Sequence, residues 1–69
     1  MTDKIQFQYV VSRLNNGNKE YYGRYGFSAD FTTARLFRRT CDAKNSKGYR
    51  RNKMDKTLSI STVVIVDPN

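Results

Sequence analysis

Nine of the thirteen Lys and Arg residues fall between positions 35 and 56: Arg35, Arg38, Arg39, Lys44, Lys47, Arg50, Arg51, Lys53 and Lys56. Only Asp42 and Asp55 oppose them there. Elsewhere Lys4, Arg13, Lys19 and Arg24 are balanced by Asp3, Glu20, Asp30 and Asp67, so the whole formal net charge of +7 sits in one third of the chain. Segregated charge creates a local positive field. Its natural partner is a polyanion, because neutralising phosphates releases condensed counterions. Tyr49 lies inside the run, and Tyr21, Tyr22, Tyr25 and Phe27 precede it. Aromatic faces beside cations stack unpaired bases, at about 1–3 kcal/mol per base. The expected nucleic-acid-binding set is therefore the nine cations together with Tyr49. Arg24-Tyr25-Gly26-Phe27 resembles part of an RNA-recognition signature but lacks the glycine after the basic residue. No Asn, Gln or Arg pattern marks a recognition helix, so little base-specific readout is expected, and RNA or a single strand is favoured over duplex.

The residue inventory excludes much other chemistry. There is no histidine, which removes Ser-His-Asp and Cys-His catalysis and every imidazole zinc site. Cys41 is the single cysteine. It cannot form an internal disulfide, and a buried packing role is the expectation for it. No G-x-G-x-x-G or Walker motif occurs, so no cofactor is expected. A ribonuclease built on Arg, Lys and Tyr would need a cleft for which so small a domain has little room, and the chain reads as a non-enzyme. The longest aliphatic run is Val63 to Val66, far short of the about 20 residues a membrane helix requires. With no apolar signal-like stretch near Met1 either, a cytoplasmic location is expected. The competing polyanion is an acidic protein surface or a ribonucleoprotein, which the chain would bind as a protein–protein inhibitor.

The elements that must position these cations follow from periodicity. In Ile5 to Leu14, Ile5, Phe7, Tyr9 and Val11 alternate with Gln6, Gln8, Val10 and Ser12, the period of a half-buried strand. Asn15-Asn16-Gly17-Asn18 then predicts a hairpin turn, since Asn and Gly tolerate positive φ. Lys19 to Tyr25 reads as the returning strand, ended by Gly26. From Phe27 onward apolar residues stand at 27, 31, 34, 37 and 41, steps of three and four that fit a helix face. Ser28 and Thr40 are candidate caps. The pattern accommodates one helix of about four turns or two short helices broken near Arg38; Thr32 and Thr33, poor helix formers, favour two. Residues 45–56 show no apolar period and are expected to form a mobile basic loop. Leu58 to Val66 is the last strand, apolar on both faces in its second half, which predicts a central or doubly covered position. The whole is one small α+β domain over residues 1–69. Its expected form is a three-stranded antiparallel sheet with one or two short helices on one face, in the order ββα(α)β. A second copy covering the Val63–Val66 segment would make a homodimer through the sheet.

From Gly26 to Ala43 the chain reads G-F-S-A-D-F-T-T-A-R-L-F-R-R-T-C-D-A. An aromatic, Ser and Asp (Phe27, Ser28, Asp30) are followed by Ala34, by Phe37 three residues later, and by Ala43 in a second short helix. This order resembles very small uncharacterised phage and bacterial ββααβ proteins. The resemblance implies two short helices and a closing strand. Such proteins usually continue a helix where this chain has its basic stretch 45–56. Small basic phage proteins often act against host defences. The resemblance thus implies, as the alternative function, a counter-defence inhibitor of a host defence, toxin or CRISPR complex, working in the host cytoplasm.

Overall fold

A computed structural model describes residues 4–67. Four strands form one antiparallel sheet: β1 (Lys4–Asn15), β2 (Asn18–Gly23), β3 (Gly26–Ser28) and β4 (Ser59–Asp67), in spatial order β3-β2-β1-β4. A 3₁₀ turn (Phe31–Thr33) and two five-residue helices, α1 (Thr40–Lys44) and α2 (Lys47–Arg51), fill the connection between β3 and β4. The α+β class and the two short helices agree with the expectation. The sheet has four strands rather than three.

The first hairpin forms as its turn residues dictate. Asn16 and Gly17 both adopt positive φ, 53° and 81°, which matches the right-handed twist of the strands they join. Asn15 and Asn18 pair directly across the turn. Two pairs further along the ladder, Arg13 Nε donates to Glu20 Oε1 at 3.1 Å, and the guanidinium lies 4.1 Å from the Phe27 ring centre.

Phe27 was expected to begin a helix and instead lies in β3, paired with Tyr22. Of the residues at 27, 31, 34 and 37, only Phe37 is buried and Phe31 is exposed, and the backbone is mostly extended rather than helical. Arg24 N–H donates to the Thr33 carbonyl (3.3 Å), Arg35 N–H to Tyr22 (3.0 Å), and Tyr9 and Phe37 exchange two bonds of 2.7 Å. Residues 33–37 thus wedge between β2 and the middle of β1. Sheet partners take the backbone groups that a helix would have satisfied internally. Asp30, not Ser28, caps the 3₁₀ turn by accepting from Thr32 N–H. Thr40 is the first residue of α1, whose N-cap is Arg39.

The stretch 45–56, expected as a loop, contains α2. Ser46 supplies the cap: its Oγ accepts from Tyr49 N–H and donates to the Ala43 carbonyl at 2.6 Å. That bond also fastens α2 to α1. Beyond α2, the Thr57 hydroxyl accepts from Leu14 N–H (3.0 Å) and donates to Asp55 (2.7 Å). The approach to β4 is thereby tied to the end of β1.

Val11, Phe37 and Ala43 are the buried centre of the core, with Tyr9, Tyr22, Phe27, Tyr49, Leu58 and Ile60 packed around them. Cross-strand partners share a face, and the β1–β4 register runs Val11↔Ile60, Tyr9↔Thr62, Phe7↔Val64, Ile5↔Val66. The helices therefore cover only the Val11–Ile60 end of this face. On the other face Ser12 is buried, and its Oγ lies 3.1 Å from Ser59 Oγ and 3.0 Å from Ser61 Oγ, so its hydroxyl is satisfied. β4 was expected to be central or covered on both faces. It is an edge strand, and Val64 and Val66 are more than half exposed.

The molecule is elongated, 45 × 23 × 19 Å. A twelve-residue strand alone spans about 40 Å, so β1 sets the long axis. Its N-terminal part, paired only with β4 among the described residues, projects past the helical cap.

Candidate nucleic-acid interface

The wedge and the two helices carry the basic segment. Phe37 is held against Tyr9 by two backbone bonds, and its neighbours Leu36 and Arg38 line a groove beside it. This open groove, of about 730 Å³, is lined by Tyr22, Arg35, Phe37, Arg38, Asp42 and Lys47 among others. A second concavity, lined by Lys47, Arg50 and Arg51, lies on α2. A third, lined by Gln6, Phe7, Gln8 and Arg38, lies against β1. Arg38 and Lys47 are the shared walls. Five of the nine expected cations, Arg35, Arg38, Lys47, Arg50 and Arg51, thus line three adjoining concavities.

All nine cations between 35 and 56 are exposed. Among the described residues only one of them forms an ion pair: Arg39 Nε lies 3.2 Å from Asp42 Oδ2. The hydrogen bond to Asp42 and its negative charge hold the Arg39 guanidinium still more firmly protonated than usual. Arg35 rests 5.2 Å from the Phe37 ring centre, a cation–π contact that positions its guanidinium on the groove wall. Arg39, Lys44, Lys53 and Lys56 line none of these three concavities.

Tyr49 is half-buried and packed on the core cluster, so its placement is accounted for without a stacked base. Cys41, expected in the interior, is exposed on the first turn of α1. Ala43, two residues on, takes the buried place instead. Gln6, Phe7 and Gln8 beside Arg38, and Tyr22 in the groove wall, were not among the expected site residues. A signal for the first three did exist: the predicted β1 outruns its hairpin partner, which leaves its first half without a covering strand from that side.

No group of three or more Cys, Asp or Glu side chains is placed to hold a metal among the described residues, and no described helix is long and apolar enough to cross a membrane. Comparison with protein-family models, with curated proteins and with solved structures gives no match.

Proposed function

We propose that this chain binds single-stranded nucleic acid, RNA foremost, through phosphate contacts and without cleaving it. The observation that carries this reading is the set of nine exposed cations in one segment, eight of them without an internal carboxylate partner among the described residues. Pairing inside the chain would have neutralised the field; here it remains available to an external anion. Arg35, Arg38, Lys47, Arg50 and Arg51 would contact successive phosphates across these adjoining concavities, with Arg39, Lys44, Lys53 and Lys56 adding long-range attraction. The helices argue for a single strand: five residues make a rod of about 7.5 Å, too short to lie along a major groove and read bases.

The test is the salt dependence of binding to single-stranded RNA, single-stranded DNA and duplex DNA, measured by fluorescence anisotropy. About five phosphate contacts give a log–log slope of roughly −3.5 to −4.5. RNA and single-stranded DNA should bind more tightly than duplex, and the RNA should stay intact. A flat salt response, or a protein partner retained from nuclease-treated lysate by a chain that binds no nucleic acid, would overturn the reading in favour of a protein-directed inhibitor.

A further inference from the structure

The end of the β1–β4 ribbon is built unlike the rest of the molecule. Ile5, Phe7, Val64 and Val66 share the helical face as two cross-strand pairs, yet are 60%, 58%, 57% and 54% exposed. They are contiguous, and contiguous exposed apolar side chains mark an interaction surface. The ribbon is two-stranded at this end, an arrangement only marginally stable in water. Along its outer side runs the free edge of β4. Edge strands are ordinarily blunted by lysine, proline or a bulge. Within Ser59–Asp67 there is no Lys, Arg or Pro, and Ile60, Thr62, Val63, Val64, Ile65 and Val66 are all β-branched.

We infer that β4 pairs antiparallel with β4 of a second copy, making a two-fold dimer with one continuous eight-stranded sheet. Three observations select this occupant. An antiparallel strand pair is self-complementary, so one edge satisfies both partners. Charge permits the approach: the surplus cations lie in residues 35–56, and the edge that meets its copy carries none. Geometry covers the exposed face. With the pairing centred on Val63, the middle of the strand, Val66 lies opposite Ile60 of the partner subunit and Val64 opposite Thr62 of the partner subunit. Ile60 is where the helical cap sits in each chain. Each bare ribbon end thus comes to rest beside the cap of the other copy, and the covering is reciprocal. The two-fold axis is perpendicular to the sheet, so both helical faces point to the same side.

Sedimentation equilibrium of the full chain, from low micromolar to millimolar protein, tests this. The expected species has twice the 8.1 kDa of one chain and dissociates on dilution. Val64→Lys and Val64→Asp change the net charge in opposite directions, and both should give a monomer with unchanged circular dichroism. Tyr25→Lys, at the exposed tip of the other hairpin, should remain dimeric. Hydrogen exchange of the unaltered chain reads the same contact without any variant: β4 amides should become slower as concentration rises, those of α2 should not. A monomer throughout the range, growth beyond two chains, a dimer that survives both Val64 substitutions in folded protein, or concentration-independent exchange of β4 overturns the inference. None of these outcomes depends on whether nucleic acid binds.

Discussion

The backbone of Gly48 lies directly against the ring of Tyr22. A methyl group built at Gly48 would overlap the ring carbons Cγ, Cδ1 and Cδ2, so α2 reaches the sheet only because position 48 has no side chain. This contact seats α2, which carries the Lys47, Arg50 and Arg51 concavity.

Gly48→Ala should therefore destabilise the protein despite its better helix propensity. The propensity gain is about 1 kcal/mol, whereas overpacking costs about 1–3 kcal/mol. Where the loss reaches 1 kcal/mol net, the midpoint of thermal unfolding should fall by about 4–8 °C. In a Tyr22→Ala background the overlap is gone, and the same substitution should become neutral or stabilising. A thermal-melt double-mutant cycle measures the coupling, and an unchanged sign in the second background would refute the contact as the cause.

Arg38 and Lys47, the walls shared between adjoining concavities, should matter in binding. Arg38→Ala and Lys47→Ala should each reduce the log–log salt slope by about 0.7–0.9, the signature of one lost phosphate contact. Arg24→Ala, an exposed cation at the β2–β3 turn, should leave the slope unchanged. Anisotropy titrations at several salt concentrations distinguish the two groups.

Phe37→Ala should abolish folding. The side chain is 8% exposed at the centre of the core, and a Phe→Ala truncation at such a site costs about 3–5 kcal/mol. A single core in a chain of this size supplies about as much in total. Loss of the β signal in circular dichroism at room temperature checks this.

Acid should weaken the turn that opens the 3₁₀ segment and the one that leads into β4. Bonds from the Thr32 hydroxyl and N–H lower the Asp30 carboxyl below its ordinary 3.8. Those from the Thr57 hydroxyl and N–H, with Arg13 a weaker influence, do the same for Asp55. A carboxyl whose folded pKa is depressed contributes its stability above the unfolded value and loses it as pH falls through the folded value. The urea midpoint should thus be insensitive to these groups near neutral pH and drop below pH 3.8. In an Asp30→Ala, Asp55→Ala variant, stability should be lower at neutral pH and the acid drop shallower.

Cys41→Ser should change stability by less than about 0.5 kcal/mol, as for exposed positions generally. The native thiol should react with an alkylating reagent as fast as the unfolded chain does. Protection against alkylation would contradict its exposed position.

What could be read from residues alone was whatever depends on near neighbours. Alternation places Tyr9 and Val11 on one face of β1, Asn16-Gly17 makes the turn because both residues take positive φ, and the count of charges locates the basic segment. Gly48 and the isolated Tyr49 leave α2 without a hydrophobic period, so that segment reads as a loop, and its Ser46 cap emerges only from the structure. Tertiary structure alone decided the rest. Phe27 and Phe37 have helical spacing, yet Tyr22 and Tyr9 recruit them into extended pairing, since a backbone donor is satisfied equally well by a helix turn or by a strand that happens to lie alongside. The doubly apolar pattern of Val63–Val66 reports that this strand favours cover. Its position at the edge follows from its pairing with β1 alone, a long-range arrangement that no local spacing encodes. Likewise, sequence bunches the nine cations, but only the wedge at 33–37 and the Gly48–Tyr22 contact bring Arg35, Arg38, Lys47, Arg50 and Arg51 around adjoining concavities.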